Sequence, residues 1–74
     1  MTAHSWREAT RTIKRAGIGA LYEHRTDRTR VVVADLHEPT GYVWWQRESG
    51  PGWGDRHRFM KSEQFLSVYQ QRER

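Results

Sequence analysis

The chain has no cysteine, which excludes both disulfide staples and thiolate metal ligands. Proline occurs only at Pro39 and Pro51, and lysine only at Lys14 and Lys61. Hydrophobic residues are scarce at 35%, with a mean hydropathy of −1.03. No apolar run approaches the roughly 20 residues of a membrane-spanning helix. Met1 to Trp6 carries no apolar leader core, so a cytoplasmic protein outside the membrane is expected. Neither an internal repeat nor linker composition divides the 74 residues. One small basic domain over 1–74 is therefore expected, near the size limit for folding on a hydrophobic core alone.

Aromatic residues and arginine are what the chain does have. Four Trp, three Tyr and two Phe must supply much of the core, since each ring buries a large area. So thin a core gives either a marginally stable monomer or apolar surface completed by a target or by a second copy in a homodimer. Thirteen basic residues stand against nine acidic ones, for a net charge of +4, and eleven of the thirteen are Arg. The planar guanidinium binds phosphate or carboxylate in a bidentate way and stacks on aromatic faces. Nucleic acid or an acidic protein surface is the expected class of partner. An arginine-rich coding bias would leave the same composition.

The spacing predicts a helix over 5–16. Ser5 and Glu8 form a capping box, and Trp6, Ala9, Ile13 and Ala16 make a narrow apolar stripe. Gly17 suits the left-handed position that ends a helix. A short strand is expected within 19–25 and a polar turn at 26–29. The β-branched run Val31–Val33 marks the clearest strand, 30–37. His37 to Gly41, with Pro39, reads as a hairpin turn, and 42–47 as the returning strand. The stretch 49–54, with three Gly and Pro51, reads as an irregular loop. A last short strand over 55–60 is expected to turn Phe59 inward. Ser62 is expected to cap a closing helix with Phe65, Leu66, Val68 and Tyr69 on one face, and 70–74 to fray.

The expected fold class is therefore α+β: an N-terminal helix, a three- to four-stranded curled antiparallel sheet of SH3-like kind, and a C-terminal helix. Curling is favoured because apolar residues fall on both faces of the central strands. In strict alternation Val32, Ala34 and Leu36 share one face and Val31 and Val33 the other. Val43 and Trp45 likewise oppose Tyr42 and Trp44. Helices on both sides, or a ligand on one, would explain this pattern.

Two surfaces stand out. Tyr42 and Trp44 point the same way, with Arg47, Arg56 and Arg58 near in sequence. Rings beside guanidinium groups suit single-stranded nucleic acid, because bases stack while phosphates meet cations; the same parts would grip an acidic protein segment. Plain core packing of the rings is the structural alternative. Arg7, Arg11, Lys14 and Arg15 line one side of the first helix, where they could follow a phosphate backbone or simply be solvated. No helix-turn-helix pairing accompanies them. Trp53 among glycines is expected to act either as a lid on the sheet or as a partner anchor.

Catalysis is not expected. His4, His24, His37 and His57 show no ligand spacing, so neither a metal nor another cofactor is indicated. Ser5, Ser49, Ser62 and Ser67 lack a nucleophile elbow. Glu8, Asp35, Glu38, Glu48 and Asp55 are too scattered for paired acid–base work.

Tyr22-Glu23-His24, the Val31–Val33 strand, the Gly41–Trp45 aromatic strand and Arg58-Phe59 leading to Phe65-Leu66 together resemble small bacterial domains with an SH3-like core. The resemblance covers about residues 19–69, without the compact glycine turn expected after Tyr-x-His, and it implies a fold more than an activity. The leading expectation is a non-enzymatic module whose basic, aromatic surface engages nucleic acid. The alternative is a protein-interaction domain, such as a phage- or plasmid-encoded inhibitor or accessory factor.

Overall fold

The computed structural model describes residues 6–49 and 58–72. Helix α1 (Trp6–Ala16) leads into β1 (Leu21–His24), β2 (Arg30–His37) and β3 (Tyr42–Arg47). After them come β4 (Phe59–Lys61), α2 (Ser62–Val68) and β5 (Tyr69–Gln71). All strand pairs are antiparallel, in the order β4-β3-β2-β1-β5. The sheet is curled into a half-barrel. This α+β architecture matches the expectation, but with five strands in place of three or four.

The fifth strand corrects the reading of the C-terminus. The closing helix stops at Val68, and Tyr69 turns extended at φ −115° and ψ 148°. From there the chain pairs with β1: His24 with Tyr69, Glu23 with Gln70, Tyr22 with Gln71. Hydrogen bonds from Arg25 N to Val68 O (2.9 Å) and from Arg72 N to Leu21 O (2.8 Å) continue the ladder at both ends. A free strand edge offers more hydrogen bonds to these residues than one further helical turn, and local sequence does not reveal that edge. Gln70 and Gln71 are thus ordered by β1 instead of fraying.

A second correction concerns β2. Val33 pairs with Trp45 and Asp35 with Trp44, leaving Ala34 as the extra residue of a bulge. The bulge resets the alternation. Leu36, opposite Val43, therefore joins Val31 and Val33 on the core side instead of sharing a face with Val32. Ile13 of α1, Tyr22, Val43, Trp45, Phe65 of α2 and Tyr69 complete the core with the two buried valines. Three rings hold its centre: Phe65 stacks on Tyr69 at 4.8 Å and lies 5.3 Å from Trp45.

The helix ends follow local chemistry. Gly17 adopts φ +94° and its N–H closes on Ile13 O at 3.0 Å, as a left-handed helix terminus requires. Ser5 lies outside the described residues, and with it the expected capping box. Ser62 does not cap α2: the cap is Lys61, which makes no side-chain cap hydrogen bond. Ser62 is instead fully buried, and its hydroxyl donates to Gly41 O at 2.7 Å while its own N–H reaches the same oxygen at 2.7 Å. Thr10 Oγ1 of α1 lies 3.0 Å from Ser62 Oγ and 2.6 Å from Trp6 O. One polar knot therefore joins α1, α2 and the β2–β3 turn.

Candidate functional site

Alternation along β3 buries Val43 and Trp45 and leaves Tyr42 and Trp44 on the convex side, partly exposed. The β3–β4 register sets Phe59 opposite Trp44 and Lys61 opposite Tyr42. Phe59 therefore lies on the convex side, 51% exposed, and not inward as expected; Met60 takes the inward place and packs against the core. The residues Phe59-Met60-Lys61 fit either parity by hydrophobicity alone, so only the pairing decides. The consequence is a cluster of three rings: Trp44 to Phe59 at 5.6 Å, Tyr42 to Phe59 at 5.4 Å and Tyr42 to Trp44 at 6.4 Å.

Lys61 links this cluster to the first helix. Its ammonium lies 4.8 Å from the Tyr42 ring centroid and 5.0 Å from that of Trp6, and it donates to Thr40 O. The Arg7 guanidinium also lies over the Trp6 ring, 5.2 Å from its centroid. Trp6 holds its position because Gly41 carries no side chain: a Cβ there would stand 2.6 Å from Trp6 Cε3, and φ at Gly41 is +77°. Trp6, Phe59 and Lys61 were not singled out as binding residues from the sequence. The signal that could have found them is tertiary, in the pairing of 59–61 with 42–44.

The other expected site residues separate. Arg11 lies with Trp6, Arg7 and Thr10 along a groove closed by Glu38 and Pro39 of the β2–β3 turn. Lys14 is bound to Glu38 at 3.1 Å, and Arg15 is exposed on the same helix. Arg47 and Arg58 do not join the ring cluster. They line a cleft at the mouth of the half-barrel with Asp27, Thr29, Trp45 and Tyr69. The Thr29 backbone N–H, 2.8 Å from Asp27 Oδ1, is the main reason the Asp27 carboxyl is held below its ordinary range. An ionised acid there opposes the two arginines. Trp53 and Arg56 lie outside the described residues.

Elsewhere, Glu23 is buried to 7% exposure and faces Arg28 at 3.4 Å and Arg72 at 3.6 Å, which fastens the 25–29 turn and the chain after β5 to β1. His24 Nδ1 accepts the backbone N–H of Thr26, and His37 Nδ1 lies 2.7 Å from Thr40 Oγ1. Among the described residues no three His, Asp or Glu side chains gather as metal ligands, and no helix is long and apolar enough to cross a membrane. The arrangement that stands apart chemically is the convex ring cluster with its adjoining cations. Comparison of the chain with protein-family models, with curated proteins and with solved structures finds no match.

Proposed function

We propose that this protein is a non-enzymatic binding module that engages nucleic acid through the convex face of β3 and β4. The observation that carries the reading is the cluster Tyr42, Trp44 and Phe59 on the solvent side of the sheet, with the Lys61 ammonium 4.8 Å from one of its rings. Rings left partly exposed forgo some burial in a chain that has few apolar residues, and bases stacked on them would recover it. A net charge of +4 favours encounter with a polyanion. The strand order, with a short helix between β4 and β5, supports reading the half-barrel as SH3-like.

Fluorescence anisotropy with labelled single-stranded oligonucleotides tests the proposal. Binding is expected at 50 mM salt and should weaken steeply as salt rises. Trp44→Ala should cost about 5- to 160-fold in affinity, the range for one lost stacking platform, with unchanged far-UV circular dichroism. Absence of any binding at 50 mM salt would overturn the reading. A protein-interaction module is the second reading, supported by Ile18, which is 63% exposed on the turn after α1. It expects an acidic protein partner that is lost on Ile18→Ser and indifferent to oligonucleotide competition.

A further inference from the structure

We infer that the nucleic-acid site does not end at the three rings of β3 and β4 but continues over Lys61 and Trp6 into the α1 groove. The bound segment would be a single strand of about six nucleotides, within the span common for aromatic single-strand sites. The inference rests on the reading above and adds a path, a fourth stacking platform and two phosphate contacts. Its basis is continuity. One ammonium, that of Lys61, lies within 5.0 Å of both the Tyr42 and the Trp6 rings, so the ring cluster and the helix are joined without a gap. The Trp6 ring also carries Arg7 at 5.2 Å, and both line a groove with Arg11. Ring, cation, ring, cation is the alternation that a strand with bases on one side and phosphates on the other requires.

The acid among the described residues of the groove does not defeat this. Glu38 is neutralised by Lys14 at 3.1 Å, so Arg7 and Arg11 set the local sign. The same contact occupies Lys14, which places Lys14 outside the track. Trp6 is also pre-positioned, since it rests against the bare backbone of Gly41, and a platform already ordered loses little entropy on binding.

The test measures anisotropy of fluorescein-labelled oligo(dT) of three, six and nine nucleotides against the wild type and two charge-matched double variants. Arg7→Ala/Arg11→Ala removes the groove cations, whereas Arg25→Ala/Arg30→Ala removes two exposed charges around the β1–β2 turn, off the track. The expected result has four parts. Affinity rises at least tenfold from three to six nucleotides and little more at nine. The Arg7/Arg11 variant loses that rise. Its log–log salt dependence becomes shallower by about 1.4, from about 0.7 for each single-strand phosphate. The Arg25/Arg30 variant keeps most of the rise. Equal loss in both double variants, or none in the first, would overturn the path. If Trp44→Ala still weakens binding in that case, the three-ring site stands alone. Failure of every oligonucleotide to bind the wild type removes both inferences together.

Discussion

At the scale of single residues, Tyr22 shows how burial and polarity compete. Its ring is fully enclosed and meets Phe65 edge-on at 5.0 Å, yet its hydroxyl has no hydrogen-bond partner among the described residues. Burial raises the Tyr22 pKa above its ordinary value of 10.0, because the phenolate would be poorly solvated. A raised folded-state pKa leaves stability intact below pH 10 and erodes it as pH climbs beyond, where the unfolded chain releases the proton first. Tyr22→Phe should therefore be neutral or stabilising by about 1 kcal/mol at pH 7, since it deletes an orphaned hydroxyl. It should also lose less stability than the wild type between pH 9 and 11. Urea denaturation at the three pH values decides this, and a loss above about 1 kcal/mol at pH 7 would point to a partner for the hydroxyl.

Adjacent residues can also divide between core and surface. Trp45 is 6% exposed and wedged against Phe65 and Tyr69, whereas Trp44 faces outward beside Phe59. Trp45→Ala should cost about 3–5 kcal/mol, a large share of the roughly 4–11 kcal/mol expected for a chain this size. Trp44→Ala should cost about 1 kcal/mol of stability while removing most binding. Denaturation midpoints and anisotropy on the same two variants separate packing from recognition.

Among elements, the knot at Ser62 explains why two short helices hold their places. Ser62 and Gly41 share two hydrogen bonds to one carbonyl, and Thr10 adds the link to α1. Ser62→Ala removes the hydroxyl donor, but Gly41 O keeps the backbone N–H of residue 62 and Thr10 keeps Trp6 O, so about 0.5–1.5 kcal/mol should be lost. Because the knot also seats Trp6 against Gly41, the variant should loosen the α1 end of the binding track before the β3–β4 rings. Amide hydrogen exchange should then show faster opening in α1 than in β2 and β3; uniform acceleration would contradict this. Elements were read unevenly from the sequence for a related reason. Val31–Val33 and the Pro39–Gly41 turn carry their own instructions in β-branching and fixed φ, and β2 and β3 appear at the expected bounds. Tyr69–Gln71 carries no such instruction, and its strand exists because β1 has an edge to fill.

For the whole molecule, net charge and a thin core act together. With so few apolar residues, anything that binds the folded chain and not the unfolded one should raise its stability noticeably. Oligonucleotide at about 100 times its dissociation constant should add about 2.7 kcal/mol, or roughly 10–20 °C in melting midpoint for a domain of this length. Differential scanning fluorimetry with and without oligo(dT) measures it. Measured binding without any thermal shift would mean that the unfolded chain binds equally well, by charge alone.

Composition and local pattern were sufficient for the basic charge, the absence of disulfides, the first helix and the three consecutive strands, because each depends on a residue's own preferences or on neighbours three or four positions away. They also placed Tyr42 and Trp44 on a common side, since alternation in a strand needs no partner. The bulge at Ala34, the outward turn of Phe59, the helix-to-strand change at Tyr69 and the meeting of Lys61 with Trp6 depend on contacts between distant segments. Local preference there is nearly balanced, so only cross-strand pairing and the enclosed core could choose.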